Sequence, residues 1–357
     1  VTEIESVIGW NGAVADDVDP SMLEPSPFHD AAEIVPRASR TVDGWTFVNG
    51  AAENLPAVWG EGDAILWAQG EPCMIVGPDG VGKTSLGQQA ALARALIGQT
   101  TLLGLPIAPA AGKVLYLAAD RPAQAARSMR RMITDDDEDL LRERLVVHRG
   151  PLPFDIVKEP VWTLRQFVED HDASDLIVDS LKDLASELIK DEVGSAVNRA
   201  FQELAASSIE LLALHHQRKQ QQGAPPPKRI ADVYGSRWLT AGMGSVVCLW
   251  GEPGDLVVSF RHLKQPIEEV GPFEVLHDHV RGRTAIHDHT DLEQLLTAAA
   301  AGLTCKDAAR LVFSKDEPKA NDVEKARRRL EALVGRNLAE RRDDPDGLAR
   351  YFAKAAA

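Results

Sequence analysis

The sequence predicts an α/β protein with a mostly parallel sheet, followed by a smaller helical unit. Three observations carry that reading. Short apolar runs alternate with helix-period segments from about residue 74 to residue 214, the pattern of a parallel sheet covered by helices on both faces. Those runs end on polar groups (Asp120, Asp179, His215 and His216), and such sheets bind ligands at the carboxyl ends of their strands. Residues 286–357 read instead as three helices and a hairpin.

The totals bound the rest. With 357 residues, 44% hydrophobic and 26% charged, the chain suits one large domain and one smaller one. No apolar run is long enough to cross a bilayer, and no basic-then-apolar leader opens the sequence. Cys73, Cys248 and Cys305 are scattered and odd in number, which fits buried thiols in a reducing cytoplasm. A net charge of −15 excludes a surface coated with nucleic-acid contacts, but leaves room for a local basic site. Charge is uneven: residues 1–70 hold 12 acidic side chains against Arg37 and Arg40, whereas 302–357 hold 13 basic against 10 acidic.

Taken in order, residues 1–45 form an acidic arm with Pro20, Pro25, Pro27 and Pro36, expected to be poorly ordered alone and to dock on a neighbouring subunit. The core domain is expected over 46–285, with Trp45–Val48, Pro56–Trp59 and Ile65–Trp67 leading into it. Met74-Ile75-Val76 is a buried strand, and Leu86, Ala90, Ala93 and Ile97 recur at helical spacing after it. Further strands are expected at 114–119, 145–148, 176–179 and 211–214, with helices at 122–132, 161–170 and 195–208. Ser245–Trp250 and Leu256–Phe260 flank a Gly-Glu-Pro-Gly turn, so the sheet should end in antiparallel strands. His277-Asp278-His279 and His287-Asp288-His289 lack cysteine partners and read as a linker between domains rather than a metal centre. Beyond them, Thr304 with Asp307 and Asn321 with Glu324 open two helices as capping boxes. Strands at 338–342 and 348–352 then close a winged helix-turn-helix order.

Between the first strand and its helix stands Gly77-Pro78-Asp79-Gly80-Val81-Gly82-Lys83-Thr84, followed by Ser85. This is the G-x-x-x-x-G-K-[ST] phosphate loop, whose backbone N–H groups wrap the phosphates of a nucleotide. Glycines allow the close approach, and the helix N-terminus adds positive potential. The pattern implies a nucleoside triphosphate, with Lys83 on its β- and γ-phosphates and Thr84 on Mg²⁺. Asp179, ending an apolar strand, is the natural second Mg²⁺ group. Asp120, at the tip of the neighbouring strand, could polarise the attacking water or simply pair with Arg121 in a turn. His215 and His216 could report loss of the γ-phosphate to the polar, basic stretch that follows them. In that stretch Arg218, Lys219, Lys228 and Arg229 are candidates to grip a nucleic-acid backbone.

Five segments in order carry a resemblance: Gly77–Thr84, Leu117-Ala118-Ala119-Asp120-Arg121-Pro122, Ile177-Val178-Asp179-Ser180, 211–219, and Asp232-Val233-Tyr234-Gly235-Ser236-Arg237. Together they resemble the RecA-like core of plasmid and phage RepA-type replicative helicases, with DnaB-type hexameric helicases more distant. The resemblance covers about residues 50–285. It implies a RecA-like P-loop NTPase, a homo-oligomeric ring that is usually hexameric, ATP at subunit interfaces and single-stranded DNA in a central channel. It also implies a neighbour's cation at the γ-phosphate. Arg261 and Lys264, in Phe260-Arg261-His262-Leu263-Lys264, resemble the basic finger of these helicases, with Arg237 as competitor. Such helicases commonly carry a Glu-Asp pair where this chain has Ala119-Asp120, so Asp120 must serve alone. At the C-terminal end Lys325, Arg328 and Arg329 face outward on the third helix, where a winged helix could meet duplex DNA. Two other readings stay open: an ATP-binding switch that controls DNA binding by the winged helix, and a RecA-like recombinase that forms filaments.

Overall fold

The computed structural model describes residues 41–50, 54–217, 226–287, 291–343 and 348–354. Internal contacts divide the chain into two units, Val1–Glu53 and Asn54–Ala357. In the first, the described residues form one short helix, α1 (Gly44–Asn49), capped by Asp43, whose carboxylate accepts from the Thr46 N–H at 3.0 Å. Trp45 and Phe47 stand 78% and 74% exposed on it. The expectation that Trp45–Val48 leads into the core is therefore corrected: a local cap sets a helix there, and the segment belongs to the first unit.

The second unit opens with a small antiparallel pair, β1 (Ala57–Glu61) and β2 (Ala64–Ala68), before β3 (Cys73–Gly77) and α2 (Lys83–Arg94). A two-residue pair follows, β4 (Thr101–Leu102) and β5 (Leu105–Pro106), then β6 (Lys113–Ala118), α3 (Pro122–Arg130), α4 (Glu138–Arg144) and β7 (Leu145–Arg149). Next come α5 (Thr163–Glu169), β8 (Ala173–Asp179), α6 (Leu181–Leu184), α7 (Asp191–Ala205) and β9 (Glu210–His216). The unit continues through α8 (Trp238–Ala241), β10 (Ser245–Trp250), β11 (Val257–Lys264), β12 (Phe273–Asp278) and β13 (Arg283–Ile286). It ends with α9 (Leu292–Ala298), α10 (Cys305–Phe313), α11 (Ala320–Gly335), β14 (Ala339–Asp343) and β15 (Ala349–Ala353).

Among the described residues, nine strands form one sheet in the order β13-β12-β11-β10-β3-β9-β8-β6-β7. From β10 to β7 every pairing is parallel, and β10-β11-β12-β13 is antiparallel, as the Gly-Glu-Pro-Gly turn predicts. The central strands are apolar at nearly every position because both faces are covered. Alternation persists beneath that uniformity: Ile75, Tyr116, Ile177 and Leu214 face one core layer, whereas Met74, Val76, Leu117 and Val178 face the other. The first layer is completed by α2, Trp59 and Trp67, and the indole of Trp59 donates to Leu102 O at 2.9 Å. The second is completed by α5, α7 and Leu239. Cys73 and Cys248 are buried on opposite faces of neighbouring strands, and burial pushes both thiols up to about 12.

A third cluster joins α9, α10 and α11 to the sheet through Leu276 of β12. Here the order of three helices and a hairpin is as the pattern predicts, with the strands one residue later than expected. The Thr304–Asp307 capping box forms, Thr304 Oγ1 donating to the carboxylate at 2.6 Å and accepting from the Asp307 N–H at 3.1 Å. The Asn321–Glu324 box does not. Asp322 instead accepts from the Lys319 N–H at 3.3 Å and pairs with Lys315 at 2.7 Å, which starts α11 at Ala320. Likewise α7 starts at Asp191 rather than Ser195. Ser236 Oγ donates to Asp191 at 2.6 Å, and Gly194 is there because a Cβ would meet Ser236 at 2.7 Å. The linker reading of the first His-Asp-His repeat is also corrected: His277 and Asp278 end a strand of the main sheet. Asp288 and His289 lie outside the described residues.

Candidate active site

The sharp turn after β3 is set by glycine. Gly80 and Gly82 have φ of +75° and +88°, a region L side chains rarely adopt. A Cβ on Gly80 would lie 2.9 Å from Pro253, and one on Gly82 would lie 2.2 Å from the His277 ring. Lys83, the first residue of α2, is nearly buried, and its ammonium donates to Gly77 O at 2.8 Å and to Pro78 O. Burial pulls it down to about 8, with Asp79 and Asp179 opposing the shift. The side chain is thus a desolvated cation folded back on its own loop.

Two strands deliver carboxylates beside it. Asp179, at the end of β8, accepts from Thr84 Oγ1 at 3.2 Å and from the Tyr116 hydroxyl at 2.6 Å. Desolvation raises its carboxyl above the usual range despite both donors. Asp120 follows β6 and pairs with Lys182 at 3.2 Å and Arg121 at 3.8 Å. His216 ends β9 with Nδ1 on the Asp79 carboxylate. The two partners pull differently. Desolvation raises Asp79, but the charges of His216, Lys83 and Lys182 outweigh it and hold Asp79 low. Burial and the Lys83 charge pull His216 below the ordinary imidazole value, against the Asp79 carboxylate, which pulls it up. Lys83, Thr84, Asp120, Asp179, His216 and His277 all line one cleft of about 680 Å³.

Residues 36–222, just over half of the chain, match the profile of a family described as AAA domain. The chain belongs to that family. This AAA domain is a P-loop ATPase, and its loop suits a nucleotide: two glycines at positive φ turn the backbone sharply just ahead of a buried lysine. Among solved structures, one described as an ATPase domain is similar over 68% of this chain and 96% of that chain, at 11% identity and a TM-score of 0.45. No curated protein matches the chain.

The other expected groups of the AAA domain spread outward from the cleft. His215 is buried behind it, donating from Nε2 to Tyr234 O at 2.7 Å and stacked on that ring. Burial pulls it down to about 4, so near neutral pH it acts through hydrogen bonds and shape, not charge. Gln217 closes the base of the basic stretch, its amide meeting Asp232 O and the Tyr234 N–H. Arg218 and Lys219 lie outside the described residues. Lys228 is exposed, and Arg229 pairs with Asp232 at 3.5 Å. Lys264 is held at home, donating to Ala241 O at 3.1 Å and Thr240 O at 3.4 Å. Arg261 has a buried Nε with no hydrogen-bond partner among the described residues, beside Cys248 on the next strand. Arg237 is exposed, with no side-chain partner among the described residues. On α11, Lys325 is exposed, Arg328 pairs with Glu324 at 3.0 Å, and Arg329 lies over the Phe313 ring at 5.8 Å.

Three residues that bear on the cleft had no strong signal in the sequence. Tyr116 shows only as a polar tip within an apolar strand, and Lys182 only as a cation three residues past Asp179. His277 comes from 193 residues beyond Thr84 in the chain, and only the sheet order brings it there.

Lys83 makes binding sensitive to pH. With its folded value near 8 against a usual 10.5, the nucleotide-free protein binds fewer protons than the unfolded chain between those values. Its stability contribution therefore rises with pH through that window. A polyphosphate seated on Lys83 would restore the proton, in which case ATP affinity should fall as pH rises above about 8. Calorimetric titration at pH ~8.5, in buffers of different ionisation enthalpy, should show uptake of roughly half a proton or more per site beyond that of Lys83→Met. Equal values for both proteins would remove Lys83 from the phosphates.

Proposed function

We propose that this AAA domain powers an ATP-dependent DNA helicase or translocase in the replication of a phage, plasmid or other mobile element. It works in the cytoplasm as a homo-oligomeric ring, hexameric by resemblance, on single-stranded DNA. One continuity carries the reading: β9 ends at His216 on the nucleotide cleft and runs directly into the basic stretch of Arg218, Lys219, Lys228 and Arg229. A change at the γ-phosphate sensed by His216 is then two residues along the chain from the segment proposed to hold the strand.

Residues 77–85 hold ATP. Thr84 and Asp179, a hydroxyl and a half-buried carboxylate 3.2 Å apart, form a donor set that fits Mg²⁺. When bound, that ion neutralises charge on the β- and γ-phosphates. Asp120 takes the proton of the attacking water as its oxygen bonds to the γ-phosphorus. The bond from that phosphorus to the bridging oxygen breaks, and ADP leaves with Lys83 beside the developing charge. Asp120 lines the cleft in an exposed ion pair with Lys182. A neighbouring subunit supplies the remaining cation, and Arg237 is the best placed of the three candidates because it is exposed and unspent. The C-terminal three helices and hairpin act as a winged helix on duplex DNA, with Lys325 the freest of its three α11 candidates, since Arg328 and Arg329 are engaged within the unit.

The Lys182–Asp120 pair, next to Ala119, also favours a second reading, an ATP-loaded switch that turns over slowly and controls DNA binding. Phosphate release with and without single-stranded DNA, measured beside strand unwinding, separates the two. The helicase reading expects stimulation by DNA, abolished in Arg237→Ala and retained in Lys264→Ala. No stimulation and no unwinding by an ATP-binding protein would leave the switch.

A further inference from the structure

We infer that His277 is a positioning residue for the phosphate loop, and that through β12 it couples nucleotide occupancy to the C-terminal helices. The inference rests on the nucleotide-site reading above and extends it to a second region. His277 is only 6% exposed, and its Nε2–H donates to Val81 O at 3.0 Å. Its ring occupies the volume a side chain at Gly82 would need, so the loop backbone rests on the imidazole at the residue before Lys83. Nδ1 has no hydrogen-bond partner among the described residues, so within them the ring is held to the loop by that one hydrogen bond and by shape.

Strand alternation does the rest. Leu276, the preceding residue, points to the opposite side and is buried in one cluster with Leu292, Leu295 and Leu296 of α9. Just past His277, the His279 N–H donates to Ala298 O at 3.1 Å, at the end of the same helix. A parallel tie reaches the loop from the β10–β11 turn. The Gly254 N–H donates to Gly80 O at 3.1 Å, and Leu256 and Val257 pack against the C-terminal cluster. Every movement of Gly80–Gly82 toward a phosphate is therefore felt by two elements whose far sides are seated on the C-terminal helices. The same ties run in reverse, so whatever the C-terminal unit binds shifts the loop's affinity for nucleotide by the same factor.

Hydrogen–deuterium exchange of the full chain, with and without a non-hydrolysable ATP analogue and Mg²⁺, tests this without any variant. Nucleotide should raise protection at 78–84 and also at 276–279 and 292–298. Protection confined to the loop would overturn the coupling while leaving the nucleotide site intact. No protection anywhere would overturn both. In His277→Ala the KM for ATP should rise roughly 3- to 30-fold with kcat little changed, as loss of one hydrogen bond and its packing implies. At saturating analogue the loop should still be protected and the response of 292–298 should shrink to the part carried by the Gly254 tie. His277→Gln, which keeps an N–H for Val81 O, should restore part of the response. A response of α9 that is undiminished in His277→Ala would transfer the coupling to the Gly254 tie and overturn the role of His277.

Discussion

Replacing Asp120 with alanine is expected to lower ATP turnover by roughly 100- to 10,000-fold while nucleotide still binds. The magnitude is that of losing the group that takes a proton from attacking water. The position supports it: β6 and β8 lie side by side, with Ala118 opposite Asp179, so Asp120 stands one strand away from the proposed Mg²⁺ carboxylate. Ala119 provides no second carboxylate at that turn. In the nucleotide-free protein Asp120 is half exposed and tied to Lys182 and Arg121, so its removal breaks only screened surface pairs and should barely change thermal stability. Phosphate release at saturating ATP, together with binding of a fluorescent analogue, measures both halves. Turnover near the wild-type rate would take Asp120 out of the chemistry and move the search to a neighbouring subunit.

For Lys83→Ala the two observables should move in opposite directions. Nucleotide affinity should fall on the order of 100-fold, since a charged donor to two phosphates is lost. The folded protein should be as stable as before or slightly more so, because the ammonium's hydrogen-bond partners among the described residues are carbonyls and its desolvation outweighs the pull of Asp79 and Asp179. Thermal denaturation without ligand, and again with ATP and Mg²⁺, reports both. The wild type should be stabilised strongly by ligand and the variant hardly at all. A variant that still gains stability from ATP would refute the phosphate-loop assignment.

What could be read from the sequence was what is encoded within one strand and its following turn. The phosphate loop, the strand ending on Asp179 and the strand ending on Asp120 are local patterns. The structure places all three on one cleft. The double-sided sheet was legible for the same reason, since strands covered on both faces are apolar throughout. Contacts made by distant segments were not. His277 reads as part of a polar repeat, and only the antiparallel order β10-β11-β12 carries it under Gly82. Charges were legible as charges but not as partners. Lys264 and Arg328 look alike on the page as free cations, yet one is bound by the end of α8 and the other by Glu324. Helix starts were misread where a carboxylate is recruited from the tertiary structure, as Asp191 is by Ser236.

The two thiols on neighbouring central strands have a practical consequence. Cys73 begins the strand that ends in the phosphate loop, and Cys248 lies on the strand paired beside it. With both held near 12 and fully enclosed, neither forms a thiolate at neutral pH or meets a reagent until those strands part. Cys305, on α10, is half-buried and should label first. The chain thus carries a fast label on its C-terminal helices and two slow ones in the sheet. The slow labelling rate is a clock for opening of the nucleotide-bearing strands, and bound ATP should slow it.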